Sequence, residues 1–183
     1  MHAADFSVTA LRELLDSRVL TSLDLADQFI TRTEAAGSLN AYASFDAAGL
    51  RAQARQADAR IAAGERLPLL GIPIALKDNI DALGFPCAVG TRALQGRAPK
   101  ADAELVRRLR AAGALIAGKA NMHELAFGIT NNNAVSGAVH NPWDVTRIPG
   151  GSSGGSGVAV AARLVPAAIG TDTGVGQRRP RCR

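Results

Sequence analysis

Pro149-Gly150-Gly151-Ser152-Ser153-Gly154-Gly155-Ser156-Gly157 runs directly into Val158-Ala159-Val160-Ala161-Ala162. Five glycines and three serines fill positions 150–157, a composition that permits positive φ angles and lets a backbone come close to a ligand or to another backbone. A flexible linker shares that composition. This stretch is short and passes at once into an apolar run, so it is predicted to open a helix over Val158 to Leu164 rather than to join domains. Backbone N–H groups at a helix start attract anions. A phosphate cradle is disfavoured, because the pattern G-x-x-x-x-G-K-[ST] lacks its lysine here.

Outward from the loop, the chain alternates strand-like and helix-like segments. Residues 7–17 and 22–35 read as amphipathic helices, the second with Thr21 and Asp24 at capping-box spacing and Leu23, Ala26 and Ile30 on one face. A short strand around Leu39 to Phe45 precedes an alanine-rich helix over 47–63, which stops at Gly64. Gly71 to Leu76 reads as a buried strand, 101–112 as a helix ending at Gly113, and Ala114 to Gly118 as another strand. Ala167 to Ile169 forms a last strand that delivers the turn Thr171-Asp172-Thr173-Gly174. Such alternation predicts an α/β layer architecture.

The chain has 183 residues, 47% hydrophobic and 20% charged, enough for one domain with a real core. Residues 175–183 supply four arginines and no acid, so most of the formal charge of +5 belongs to them. No basic stripe or aromatic platform accompanies that charge, and Phe, Tyr and Trp make up only 4%; nucleic acid is therefore not an expected partner. No run approaches the roughly 18 apolar residues of a membrane span, and the amino terminus lacks a basic start before an apolar stretch. Cys87 and Cys182 alone give neither a metal quartet nor a disulfide framework. The expectation is a cytoplasmic protein without membrane attachment.

Lys77, at the end of an apolar strand, is the first residue that carries chemistry. Burial disfavours the ammonium and lowers its pKa, which lets a lysine act as a general base near neutrality. By itself the signal is weak, since such a lysine more often snorkels to the surface or pairs with a neighbour such as Asp78 or Asp81. His123 reads as a structural or rim histidine, because His2 and His140 stand at no ligand spacing from it. No metal is implied.

Three separated motifs in order, Gly71-Ile72-Pro73-Ile74-Ala75-Leu76-Lys77-Asp78-Asn79, the run from Gly118 to Asp144, and the glycine-serine loop with Gly170-Thr171-Asp172-Thr173-Gly174, resemble the amidase signature family. The resemblance covers residues 10–174. It implies a mixed β-sheet core covered by helices, incomplete at the carboxyl end, and cleavage of carboxamides by a Ser–Ser–Lys triad with no cofactor. Carried over, Lys77 is the base and Ser152 the relay on a cis peptide bond. Gly150, Gly151, Ser153, Gly154, Gly155 and Ser156 support the loop, and the N–H groups of Thr173 and Gly174 form the oxyanion hole. Within the family, Asn121-Met122-His123-Glu124-Leu125, Gly128-Ile129-Thr130 and the run from Gly137 to Trp143 are most similar to the indoleacetamide and mandelamide hydrolases. A small amide such as an arylacetamide, with water as co-substrate, is the implied substrate. Two rivals stand beside this reading. One is the glutamyl-tRNA amidotransferase A component, which shares the motifs but carries an acidic residue where His123 stands; the other is a non-catalytic fragment or pseudoenzyme.

The family pattern continues G-T-D-T-G-[GA]-S-[IV]-R-x-P-A-A, which sets its nucleophilic serine on Gly176. Glycine has no side chain to acylate, so the chain as written is expected to be inactive. Residues 1–174 accordingly read as the amino-terminal part of an amidase domain and 175–183 as an aberrant arginine-rich tail. Codons for Gly-Val-Gly such as GGC-GTC-GGT spell Ala-Ser one frame over, so a small deletion accounts for the change.

Overall fold

The computed structural model describes residues 3–172; the tail at 175–183 lies outside them. Helices α1 (Val8–Asp16) and α2 (Ser22–Ala35) open the fold. Thr21 and Asp24 form the capping box that their spacing predicts, each side chain accepting from the other residue's backbone N–H. Leu11 and Leu15 of α1 and Leu25, Phe29 and Ile30 of α2 are buried in the core. Strand β1 (Tyr42–Phe45) leads to α3 (Ala47–Ala62), whose amino end is capped by Asp46 accepting from the Gly49 N–H.

The central sheet is completed by β2 (Pro73–Lys77) and β3 (Leu115–Ala120), with α4 (Glu104–Ala111) between them in the chain. A two-residue ladder follows, β4 (Asn132–Asn133) with β5 (Gly137–Ala138), then α5 (Gly154–Ala161) and β6 (Ala167–Ile169). The order across the sheet is β1-β3-β2-β6, with β1 antiparallel to β3 and β2 parallel to both neighbours. Every residue of β2 and β3 is buried, as expected of parallel strands covered on both faces. The α/β class and the mixed sheet expected from the sequence are the architecture found.

Several boundaries differ from expectation: the helix expected over 101–112 begins only at Glu104, and the strands expected over 71–76 and 114–118 run instead over Pro73–Lys77 and Leu115–Ala120. The last helix begins at Gly154, inside the glycine-serine loop, and ends at Ala161, whereas residues 158–164 were expected. Glycine is a poor helix former, but here propensity yields to packing. A Cβ at Gly155 would overlap the backbone oxygens of Asn121 and Ala41, so the helix start presses against the chain leaving β3 at a distance only glycine allows.

The sheet contains an irregularity that α3 repairs. Ile74 pairs with Ile116 and Ala75 with Gly118, so Ala117 is an extra residue in β3. On the other side, β1 pairs no further back than Gly118, leaving the outer edge of Ile116 without a strand. Gln53 of α3 fills the gap: its Nε2 donates to the Ile116 carbonyl at 3.1 Å and its Oε1 accepts the Ile116 N–H at 2.9 Å. No helix among the described residues is long and apolar enough to cross a membrane.

Replacing Gln53 by Met keeps the length of the side chain and removes both hydrogen bonds, leaving a buried donor and acceptor unpaired. The expected loss is about 1–3 kcal/mol of stability in urea melts. A Gln53→Met chain as stable as the parent would show that Ile116 finds other partners.

Candidate active site

Parallel pairing places the ends of β2 and β6 side by side, with Leu76 opposite Ile169. Lys77 at the end of β2 therefore lies level with the chain entering Thr171. The side chain is fully buried. Its Nζ donates to Ser152 Oγ at 2.7 Å and to the Thr171 carbonyl at 3.2 Å. Burial draws its pKa down from the ordinary lysine value to about 8, against a smaller upward pull from the Asp172 carboxylate. The peptide bond between Gly151 and Ser152 is cis.

Neither acidic neighbour named as an alternative partner for Lys77 pairs with it. Side chains alternate along a strand, so Asp78 faces away from Lys77 and meets Lys119 of β3 at 3.4 Å, both groups buried. Burial raises the Asp78 carboxyl above the usual range, and Lys119 offsets part of that rise. The Gly90 N–H also donates to Asp78, at 3.3 Å. Asp81 instead holds Arg97 at 2.6 Å near the surface. Cys87 is buried as a free thiol donating to the Asp78 carbonyl at 3.0 Å.

The loop residues picked out by the sequence come together around this pair. Ser153 Oγ donates to the Thr171 carbonyl at 3.1 Å and accepts the Thr171 N–H at 3.3 Å. Ser156 Oγ donates to the Ile169 carbonyl at 3.0 Å. Gly150 takes a φ of +86°, Gly154 N–H donates to Asn131 Oδ1 at 3.0 Å, and Gly155 N–H donates to the Asn121 carbonyl at 3.0 Å. Of the three serines, Ser152 is the one that faces Lys77. Thr173, Gly174 and Gly176, to which the oxyanion hole and the nucleophile position were assigned, lie outside the described residues.

Several residues of the site carried no role in the sequence reading. Thr171 supplies the second acceptor for Lys77 and is itself held by Asn79, whose Nδ2 donates to its Oγ1 at 3.0 Å. Asn133 is buried, donating from Nδ2 to the Gly90 and Met122 carbonyls and accepting the Val135 and Ser136 N–H groups at Oδ1. The density of asparagines over 121–141 was the available signal, since asparagine side chains commonly bind nearby backbone in turns. An open cleft of about 1120 Å³ is lined by Asn79 and Thr171 together with Ile80, Val89 and Leu105, and Thr171 links it to Lys77.

Known proteins resemble this chain in both sequence and fold. The family model described as Amidase matches residues 24–182, a span that includes most of the arginine-rich tail. The A component of the glutamyl-tRNA(Gln) amidotransferase of Burkholderia pseudomallei (strain 1106a) is 48% identical over 180 residues, covering 98% of this chain and 36% of that protein. The chain thus spans about a third of the length of the curated relatives it matches. A crystal structure of an amidase superposes with a TM-score of 0.87 at 40% identity, over 92% of this chain and 39% of the other. The native peptide amidase from Stenotrophomonas maltophilia gives a TM-score of 0.84 at 37% identity, over 88% and 35%. Matched by the family model over most of its length and similar to these amidases in fold and sequence, the chain belongs to the amidase family.

Proposed function

We propose that the chain carries the proton-handling part of an amide-cleaving site, with Lys77 as general base and Ser152 as relay. The observation that carries this reading is the 2.7 Å contact between Lys77 Nζ and Ser152 Oγ inside a site where the lysine pKa falls to about 8. In its neutral form the Lys77 amine accepts the Ser152 proton. Ser152 then takes the proton of a nucleophilic hydroxyl as that oxygen attacks the substrate carbonyl. The proton returns along the same path to the nitrogen, ammonia leaves, and water hydrolyses the acyl intermediate to the acid. Backbone N–H groups of Thr173 and Gly174 would stabilise the oxyanion. The cleft beside Asn79 and Thr171 offers the approach for a small carboxamide, and similarity of the His123 region to arylacetamide hydrolases favours a substrate of the indole-3-acetamide kind.

A second reading, the ammonia-releasing component of a tRNA-dependent amidotransferase, is favoured by the 48% identity to proteins of that name. In it the same site frees ammonia for a partner protein. Both readings need a nucleophile where this chain has Gly176. Two observations favour an in-frame replacement there over a change of frame: the family match runs to residue 182, and Arg178 and Pro180 coincide with the arginine and proline of the family pattern. On either account the chain as written does not turn over amides.

A fluorophosphonate probe is therefore expected to leave the parent chain unlabelled and to label Gly176→Ser. In that background, Lys77→Ala and Ser152→Ala should each slow labelling by on the order of 10⁴-fold, as when members of a triad are removed. The base works when neutral, so the labelling rate should rise with pH through a midpoint near 8. Labelling of the parent chain that Ser153→Ala or Ser156→Ala abolishes would assign the nucleophile to the loop and overturn this reading.

Burial of Lys77 has a second measurable consequence. Its folded pKa lies below the unfolded value, so between about pH 8 and 10.5 the unfolded chain binds more protons and stability rises with pH. Below pH 8 the buried lysine costs at most about 3 kcal/mol. Lys77→Met is expected to stabilise the fold at pH 7 and to flatten the rise between pH 8 and 10 in urea melts compared across pH. Parallel pH profiles for the two proteins would show that Lys77 is solvated.

A further inference from the structure

His123 lies just beyond β3 and touches both the Ser152 loop and the segment at 128–131. Its backbone N–H donates to the Ser152 carbonyl at 3.1 Å. Its ring Nδ1 receives the Asn131 backbone N–H at 3.2 Å. Thr130 Oγ1 lies 3.4 Å from the same nitrogen and accepts the Asn132 N–H at 3.3 Å, which leaves its own proton to donate to Nδ1. A backbone N–H can only donate, so Nδ1 is an acceptor and the ring proton sits on Nε2. The ring packs where Gly128 leaves room, since a Cβ at that position would overlap the imidazole. Asn131, fully buried at a φ of +55°, passes the restraint on by accepting the Gly154 N–H at Oδ1, at 3.0 Å. The Ser152 loop is thereby held at two points, through the His123 backbone on one side and through its ring and Asn131 on the other.

We propose that His123 is a positioning residue that holds Ser152 against Lys77, acting as a neutral imidazole whose Nδ1 fixes Asn131. The proposal rests on the reading of Ser152 as the relay. It gives His123 a part in the site that a histidine at the rim would not have, although the ring touches no reacting atom. An acceptor at the position of Nδ1 is the chemical requirement; the aromatic ring is one way to meet it.

The test is made on the 183-residue chain by NMR and needs no turnover. Imidazole ¹⁵N shifts are expected to show Nδ1 unprotonated and Nε2 protonated. His123→Leu should shift the amide signals of Asn131, Ser152 and Gly154. It should also move the Lys77 Nζ titration midpoint upward from about 8 toward that of a solvated lysine, as Ser152 withdraws and water enters. His123→Asn, whose Oδ1 comes near the place of Nδ1, should restore both readouts, and Gly128→Ala, which displaces the ring, should reproduce the loss. A proton on Nδ1 in the parent chain overturns the proposal, as does a His123→Leu chain with unchanged amides and an unchanged Lys77 midpoint. If His123→Leu does not fold, the parent tautomer together with the Lys77 midpoint in His123→Asn decides: a displaced midpoint in that variant overturns the proposal. Failure of the labelling experiments with these signals as expected would overturn the amidase reading alone.

Discussion

A buried lysine whose hydrogen bonds, among the described residues, go to a hydroxyl and a backbone carbonyl is the constraint around which this structure is arranged. Taking the charge out of water is costly unless its donors find acceptors. Lys77 finds a hydroxyl from one loop and a carbonyl from the end of another strand. These groups are 75 and 94 residues away in the chain, so no local structure brings them together. The parallel register between β2 and β6 does. A one-residue slip would turn Lys77 to the opposite face; the observed pairing of Leu76 with Ile169 keeps it level with Thr171.

The same strands carry a second buried lysine under different conditions. Lys119 faces the Asp78 carboxylate and the Pro86 carbonyl, whereas Lys77 faces neutral oxygens, with Asp172 acting through space. Alternation along β2 separates the two arrangements across the sheet, although Lys77 and Asp78 are adjacent in sequence. The ion pair on one face ties β2 and β3 to the segment around Gly90, while on the other face the lysine is left poised to lose its proton. Had Asp78 faced Lys77, the carboxylate would have held the ammonium charged and removed its capacity as a base.

Features legible in the sequence were those set by local chemistry or by period. The Thr21 and Asp24 cap, the stop after α4 at Gly113, the buried strand ending at Lys77 and the direction of the lysine pKa follow from neighbouring residues. What escaped depends on contacts between distant segments. Gln53 reads as an ordinary polar residue of an alanine-rich helix, and its service to Ile116 exists only because β3 carries an extra residue. The early start of α5 contradicts glycine propensity and is explained by the close approach to Asn121 and Ala41. Thr171, Asn79, Asn131 and Asn133 act through backbone partners that no spacing reveals.

The distribution of the three loop serines shows how a low-complexity composition becomes a specific site. Ser156 binds the Ile169 carbonyl at the end of β6, and Ser153 grips both backbone groups of Thr171. These two attach the start of α5 to the strand that carries the lysine's carbonyl acceptor. Ser152, one residue earlier and on the cis bond, is thereby left to face Lys77. Their roles are unequal because each hydroxyl meets a different part of the sheet end, although all three stand in one glycine-rich run. Shifting the run so that Ser153 met Lys77 would put Ser156 in the place of Gly155, where a Cβ overlaps the Asn121 and Ala41 carbonyl oxygens, so the close packing at position 155 keeps Ser152 as the serine that meets the base.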